Sequence, residues 1–529
     1  MIFSINSNIS YQNSGIESAQ YNRFKIFKKY HIPFALITTS FNYDESKIVL
    51  DDGVYGLKLL PNEYLNMYSF FQGLVGEVKM KPTTMENYNF GVIDGNSNFD
   101  LIFDETNQVL NLKNDNKLFA SISFYQSKPV KEQEEIFKLQ FKKIIYYDLN
   151  NENKQVKWSL FDYRGYHIAD FLIDSDGLTV KNKIYYDING KPIIQSFNFG
   201  NHTSYILKLD DKQLLFKSEI ELRNYFFNTL NSVNNAKEHY TFVIDRANSC
   251  EESIVNIDNR QNATLVFHIH SMHVNQAKNM NYSTYNFNYE YSLHNLNNFD
   301  FIVSATTKQV QDLKNRYPKF ADKFVAIPVG SVSDETLSKP PANMKFRKPY
   351  SMLVTSRISE EKHLEDIVFA MAEITKQYPT ANLNIYGYPN NDNNYLAKRK
   401  IKYLIDKFNL SNNVFVNGYA DEVEKIQENS QLYFVTSSSE GFNIALMEAM
   451  SHGCVPIVYD NKYANSLVNN SKLVLTNKTP KEIAKVVCDL FKNQDYLQEL
   501  SLEMHKNCQI FSQKSIAEKW QKIEEVKNK

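Results

Sequence analysis

The stretch EGFNIALMEAMSHGCVPIV, from Glu440 to Val458, decides the fold. It follows Gln431–Val435, an apolar run of strand length. Ile444–Ser451 then repeats apolar residues at helical spacing, with Ala445, Met447 and Met450 turned to a core. Pro456–Val458 reads as the next strand. Strand, turn, helix and strand in that order form the unit of a doubly wound parallel sheet. Gly441 has no Cβ and lets the backbone approach a ligand closely. The helix start behind it offers unpaired N–H groups to an anion such as a diphosphate. Glu440 lies in the turn and Glu448 one to two turns into the helix, so the carboxylates can hold different parts of one elongated ligand. On chemistry alone, an ordinary strand–turn–helix explains the stretch equally well.

The same rhythm extends outward. Ser351–Thr355, Asn382–Tyr386 and Val414–Val416 read as strands, and Leu364–Gln377 and Tyr395–Phe408 as helices. A nucleotide-binding type of domain is predicted over 350–510, closed by a helix at 511–529. Residues 331–349 hold Pro340, Pro341 and Pro349 and few apolar side chains, the texture of a linker. Before it, Glu219–Val233 and Thr307–Arg316 read as helices, and Thr241–Ile244, Ala263–His270, Phe301–Val303 and Phe324–Ile327 as strands. The beginning of the chain has this texture too: a strand at Met1–Ile5, a turn at Ser14-Gly15, a helix at Ile16–Tyr30, a strand at Phe34–Thr38 and a helix at Asn62–Leu74. Residues 1–75 and 215–330 therefore make a second doubly wound domain. Between them, 76–214 alternates with period two in Leu118–Tyr125, Lys143–Leu149, Trp158–Tyr163 and Lys183–Tyr186. Turn signals at Asp94-Gly95, Asp176-Gly177 and Asn189-Gly190 separate such runs, as in an inserted antiparallel β domain. The predicted class is α/β, with two Rossmann-like domains, a β-rich insertion in the first, and a ligand cleft at the carboxyl ends of the strands.

Composition excludes several functions. At 529 residues the chain has room for three or four domains of roughly 150 residues. Lys and Arg number 59 against 60 Asp and Glu, so the chain-wide basic footprint of a nucleic-acid binder is absent. No run approaches the ~18 uncharged apolar residues of a membrane span. The start MIFSINSNISYQNSG lacks the basic region and cleavage site of a secretory signal. Cys250, Cys454, Cys488 and Cys508 show no paired spacing, which argues against a disulfide framework and fits a reducing cytoplasm. His268 and His270 share a strand face, with His273 in the following loop. They read more readily as core or pocket histidines than as zinc ligands, and no metal site is predicted. Arg23, Lys25, Lys28 and Lys29 on the first helix, and Lys398, Arg399, Lys400 and Lys402 on a later one, are either solvated faces or attractors of anionic lipid or polyol phosphate.

Glu440 and Glu448 form an E-x7-E motif, and the stretch around them resembles the signature of retaining glycosyltransferase family 4, enzymes of the GT-B fold. Arg357 and Lys362, in SRISEEKH after a strand, resemble the basic pair that this family sets against its donor diphosphate. Gly15 resembles its N-domain glycine loop, and His270 the histidine facing the donor sugar. A narrower resemblance covers nearly the whole chain. NSGIESAQYNRFKIFKKY near the start, the β-rich insertion, Phe242–Arg246 and the His-x-x-His at 270–273 are similar to bacterial enzymes that glycosylate wall teichoic acids, and to relatives acting on serine-rich surface proteins. The loop before the linker reads Pro328-Val329-Gly330 where the family usually has Pro-Asn-Gly.

This resemblance implies a retaining transfer of a hexose, glucose or N-acetylglucosamine, from a UDP-sugar to a cell-surface acceptor. Polyol-phosphate teichoic acid is favoured. Serine-rich protein, or a non-catalytic role in a glycosyltransferase pair, is the alternative. The implied catalytic residues are His270, Arg357, Lys362 and Glu440. Donor binding adds Gly15, Gly441, Phe442, Asn443, Ile444 and Glu448, with His273, Gly387 and Tyr419 as further candidates. Glu448 would take the ribose hydroxyls and Glu440 the hexose. Charge builds on the departing diphosphate, and the planar fork of Arg357 and the point charge of Lys362 can meet it without a metal or cofactor. Backbone N–H groups at Gly441, Phe442 and Asn443 add to this. Alone, the two cations read as a surface cluster with Glu360 and Glu361. In the family, retention is attributed to front-face attack, the leaving phosphate taking the acceptor proton. A homo-oligomer built through the insertion, and a cytoplasmic location touching the inner face of the membrane, complete the expectation.

Overall fold

The computed structural model describes residues 1–9, 15–53, 57–90, 99–125, 133–200, 202–210, 212–233, 239–245, 250–275, 280–420 and 422–525. The expected turn at Asp94-Gly95, together with Ser14 and Arg246, lies outside them. The chain divides into two compact units, Met1–Ser14 with Pro33–Leu265, and Gly15–Ile32 with Val266–Lys529.

In the first unit, Ile2–Asn6 pairs in parallel with Tyr240–Ile244 on one side and Phe34–Thr38 on the other. Every residue of Ile2–Asn6 and Phe34–Thr38 is buried. Their largely apolar texture is what a parallel strand covered on both faces requires. The expected helix over Asn62–Leu74 is shorter than its pattern. Tyr64–Asn66 is extended and pairs with Phe34–Thr38, and the helix covers only Met67–Phe71. Asn66 explains the break. Its carboxamide accepts from the amides of Tyr68 and Ser69, so the helix begins after it.

The expected β insertion is a single ten-stranded sheet from Asp100–Asp104 to Lys212–Phe216, each strand pairing with its sequence neighbour. Tight turns with positive φ at Gly177 and Gly190 stand where Asp176-Gly177 and Asn189-Gly190 signal them. One face buries Leu112, Ile122, Phe141, Ile144 and Phe161. The other face meets the α/β part of the unit, where Tyr185 packs on Phe41 and Tyr68. Gln72 fixes the junction, donating to the carbonyls of Ile168 and Tyr186 and accepting from the amide of Ile188.

The second unit holds a six-stranded parallel sheet in the order Val414–Gly418, Asn382–Tyr386, Ser351–Thr355, Leu432–Val435, Val455–Tyr459 and Val474–Leu475. That is the 3-2-1-4-5-6 order of a Rossmann sheet, and its direction reverses between Ser351–Thr355 and Leu432–Val435. The linker segment holds a helix at Asp334–Ser338 capped by Ser333. Gln513–Glu525 is the closing helix, and it buries Trp520. Among the described residues, no helix is long and apolar enough to cross a membrane.

Gly165, in the turn between Asn151–Phe161 and His167–Ile173, has a φ of +99°, and a Cβ there would lie 2.2 Å from the carbonyl oxygen of Lys81. Gly165→Ala must displace backbone as well as strain φ. We expect it to cost about 3 kcal/mol or more, measurable as a fall in the denaturant midpoint with an unchanged slope. An unchanged midpoint would show that this turn is not held by Lys81.

Candidate active site

In an open α/β sheet, ligands bind beyond the carboxyl ends of the strands where the order reverses. Two loops leave the sheet there. One runs from Ser356 to His363 and carries Arg357 and Lys362, and the other runs from Thr436 to Asn443 and carries Glu440 and Gly441. The Thr436 hydroxyl donates to the carbonyl of Lys362 at 2.6 Å, and the Ser438 amide to that of Glu361 at 3.0 Å. The Lys362 ammonium meets Glu440 at 2.7 Å, both side chains only 16–17% exposed. Arg357 is different. It stands 66% exposed, with Glu361 at 3.4 Å. Glu360 faces Lys400 and Asn393 instead. The basic pair is thus split between a sheltered cation held by Glu440 and an open one.

Glycine is needed where this site is tight. A Cβ on Gly441 would fall 2.7 Å from both the carbonyl oxygen of His270 and the Cα of Ser271. His270 is thereby brought against the Glu440 loop. A Cβ on Gly387 would lie 1.8 Å from the Ser356 carbonyl oxygen, beside Arg357. Gly330, in the loop that departs from the family pattern, packs so close that a Cβ would lie 3.0–3.3 Å from Met447, Ile444 and Phe442. Asn443 caps the Ile444–Ser451 helix through its carboxamide, which accepts from the Leu446 amide. The helix start is therefore fixed at the turn.

Glu448 opens into a cleft of about 530 Å³ with Tyr419, Glu424, Ser333, Thr336 and His452 on its walls. Burial pushes its carboxyl up to about 7, with Glu424 adding repulsion and Lys25 opposing it. Tyr419 stands 67% exposed at the rim and stacks on Tyr388, ring centroids 5.8 Å apart. Gly15 begins the Gly15–Lys29 helix with open space around its Cβ position.

The three histidines separate. The His268 and His270 rings are 4.2 Å apart, and Arg23 lies 3.2 Å from His268 Nδ1. His273 is fully buried against Tyr463, and burial, with Arg316 nearby, lowers its imidazole to about 4, so it is neutral at pH 7. The first basic stretch is divided between core and solvent, with Lys25 and Lys29 exposed. Arg23 is buried under the Trp520 ring, and Lys29 pairs with Asp334 at 2.9 Å. Lys398, Arg399, Lys400 and Lys402 are exposed.

Residues 338–515 match the family Glycosyl transferases group 1. The chain is 24% identical over 551 residues, 99% of both proteins, to the UDP-N-acetylglucosamine–peptide N-acetylglucosaminyltransferase GtfA subunit of Streptococcus pneumoniae. It is 23% identical over 543 residues, 98% of both, to the poly(ribitol-phosphate) alpha-N-acetylglucosaminyltransferase of Staphylococcus aureus. Its fold matches the crystal structure of a GtfA/B complex with a TM-score of 0.80, at 22% identity and covering all of both chains. Residues 338–515 thus form a Glycosyl transferases group 1 domain. The fold of the chain is GT-B with an antiparallel insertion.

In the transferase, residues that no local pattern announces support those that one does. The Tyr289 hydroxyl accepts from the amides of His270 and Ser271 and lies 2.7 Å from the Ser271 hydroxyl, and Gln309 donates to the Ser271 carbonyl. These bonds set the turn against which Gly441 rests. On the other side, Glu440 forms a β-bridge with Lys462, its amide donating to the Asn461 carbonyl. Tyr289 and Gln309 lie outside the motifs, so only the fold reveals them.

Two outcomes follow for the transferase. Lys362→Ala should lower transfer by about 10²–10³, the usual cost of losing one charge-stabilising donor, and should leave Glu440 without its cation. Turnover near wild type in a folded Lys362→Ala protein would remove Lys362 from the site. Glu448 binds a proton more tightly folded than unfolded, so folding stability falls as pH rises from the ordinary value of 4.5 to about 7. Glu448→Gln should therefore melt above wild type at pH 8, with the gap closing by about pH 5. Its donor KM should rise, because an uncharged amide is the poorer acceptor. A melting gap independent of pH would contradict the raised carboxyl.

Proposed function

We propose that the chain moves a hexose, glucose or N-acetylglucosamine, from a UDP-sugar to hydroxyls of a cell-surface acceptor with retention of anomeric configuration. The observation that carries this reading is the Lys362–Glu440 pair at the strand-order reversal, with Gly441 against His270 and Glu448 in the neighbouring cleft. In the reaction, the bond between the anomeric carbon and the diphosphate oxygen breaks, and the acceptor oxygen bonds to that carbon from the same face. The acceptor proton passes to the departing phosphate. Lys362 and Arg357 stabilise the charge left on the diphosphate, Glu448 holds ribose hydroxyls and Glu440 the hexose. The proposal includes no metal, the positive charge coming from the Lys362 ammonium and the Arg357 guanidinium.

An anionic polyol-phosphate polymer is the first reading of the acceptor, in line with the likeness to the poly(ribitol-phosphate) enzyme. The full-length likeness to GtfA subunits favours a second, hydroxyls of a serine-rich protein, with a partner subunit. Self-association or partner binding through the β insertion, and work in the cytoplasm at the inner face of the membrane, belong to the same proposal.

Incubation with a panel of UDP-sugars and both acceptors, followed by mass spectrometry, tests it. Transfer from one UDP-hexose, unaffected by EDTA, is expected. Loss of all transfer in EDTA, restored by manganese, would overturn metal independence. Absence of both transfer and donor hydrolysis would favour a non-catalytic partner.

A further inference from the structure

The loop after the strand Val455–Tyr459 leaves the same end of the sheet as the Glu440 loop, and it holds a lysine in a strained backbone conformation. Lys462 has a φ of +81°. The other non-glycine residues with positive φ among the described residues lie between 47° and 63°, close to the left-handed well at about +57°. A Cβ is disfavoured at positive φ, and such strain persists only where the surroundings over-determine it. They do here. Asn461 and Tyr463, on either side, are fully buried. The Asn461 side-chain oxygen accepts from the Asn465 amide at 3.0 Å, and its carbonyl accepts from the Glu440 amide at 3.3 Å. The Tyr463 hydroxyl lies 3.5 Å from His273 Nδ1. Between these two anchors Lys462 is only half-buried.

The charge balance of the site leaves room for another cation. Lys362 is met by Glu440 at 2.7 Å and Arg357 by Glu361 at 3.4 Å, so each cation already faces a carboxylate. As pairs they are neutral, and a departing diphosphate has to compete with the carboxylates for them. Lys462 has no carboxylate partner among the described residues. Its backbone bridges that of Glu440, one strand spacing of about 4.8 Å away. A flexible four-carbon stem carrying a point charge spans such a distance. Lys462 therefore stands beside the Lys362–Glu440 pair as a cation held by nothing on its own side.

We propose that Lys462 is a third cation of the transferase site and contacts the diphosphate as it departs. The bond between the anomeric carbon and the diphosphate oxygen breaks, and its electron pair stays on the oxygen. The Lys462 ammonium meets that charge and keeps its own protons, the acceptor proton going to the phosphate. This role accounts for the strain. Glycine would suit the backbone better at this φ, but it would remove the charge. The inference rests on the UDP-sugar reading of the donor.

Lys462→Gly relieves the backbone and deletes the cation, whereas Lys462→Arg keeps a cation. Lys478→Gly is the control, an exposed lysine with a φ of +50° in a different loop. Melting temperature, UDP-sugar turnover, and affinity for UDP and for uridine by calorimetry are measured on each protein. Lys462→Gly should melt at or above wild type and lose kcat by about tenfold or more, with a smaller change in KM. Its affinity for UDP should fall about tenfold while that for uridine stays unchanged. Lys462→Arg should retain most of the turnover, and Lys478→Gly all of it. Turnover near wild type in Lys462→Gly overturns the third cation and leaves the donor reading standing. So does an equal loss of UDP and uridine affinity, which marks a structural role, or a folded Lys462→Arg as inactive as Lys462→Gly. A wild type that binds UDP but turns over no UDP-sugar overturns the transfer reading, and weaker UDP binding by Lys462→Gly then still upholds the contact. A wild type that binds no UDP overturns both.

Discussion

Two loops leave neighbouring strands in opposite directions at the sheet's reversal, and the bonds that draw them back together are what the site depends on. The carbonyls of Glu361 and Lys362 accept from Ser438 and Thr436, which fixes the backbone under Lys362 before its side chain is considered. The ammonium is then met by Glu440. An ion pair this sheltered is weak evidence of stability, because desolvation offsets much of its attraction. Its value is geometric. The cation is held in place, neutralised until an anion competes for it. Arg357, largely in solvent, carries no such preorganisation.

Steric constraint complements the electrostatic one. Gly441, Gly387 and Gly330 each stand where a Cβ would press on a neighbour, and each neighbour belongs to another site segment: the His270 turn, the Arg357 loop and the Ile444 helix. Only Gly387 among these has a positive φ. For Gly441 and Gly330 the requirement is space, not backbone conformation. The Pro-Val-Gly loop therefore keeps a close approach to the helix start although its middle residue differs from the family pattern.

The second Rossmann-like sheet was legible nearly residue by residue. Ser351–Thr355, Leu364–Gln377, Asn382–Tyr386 and Ile444–Ser451 stand at their expected bounds, because buried parallel strands and amphipathic helices write long, regular patterns. Residues 62–74 misread because a helical spacing of apolar side chains continued through Asn66, whose capping overrides it. Glu440, Glu448 and Gly441 were legible as a motif. The environments that differentiate them were not: the pairing of Glu440 with Lys362, the raised carboxyl of Glu448 and the buried neutrality of His273 come from segments distant in sequence.

That contrast bears on how such an enzyme divides its work. All the candidate donor residues, from Gly15 through His270 to Glu448, fall in the unit of Gly15–Ile32 and Val266–Lys529. Binding a nucleotide at a strand-order reversal needs a few loops whose spacing is fixed by the strand and helix that bracket them, so the requirement survives as local sequence. A cross-strand arrangement of side chains has no such anchor. A row across a sheet takes one residue from each strand, and register alone decides which. Trp158, Phe171 and Lys183 share a row because successive hairpins in the meander turn at the lengths they do. A one-residue slip in any hairpin would send one of them to the opposite face while leaving composition and periodicity unchanged. A row of this kind is therefore recorded in turn lengths, and it becomes visible only once the strands are paired.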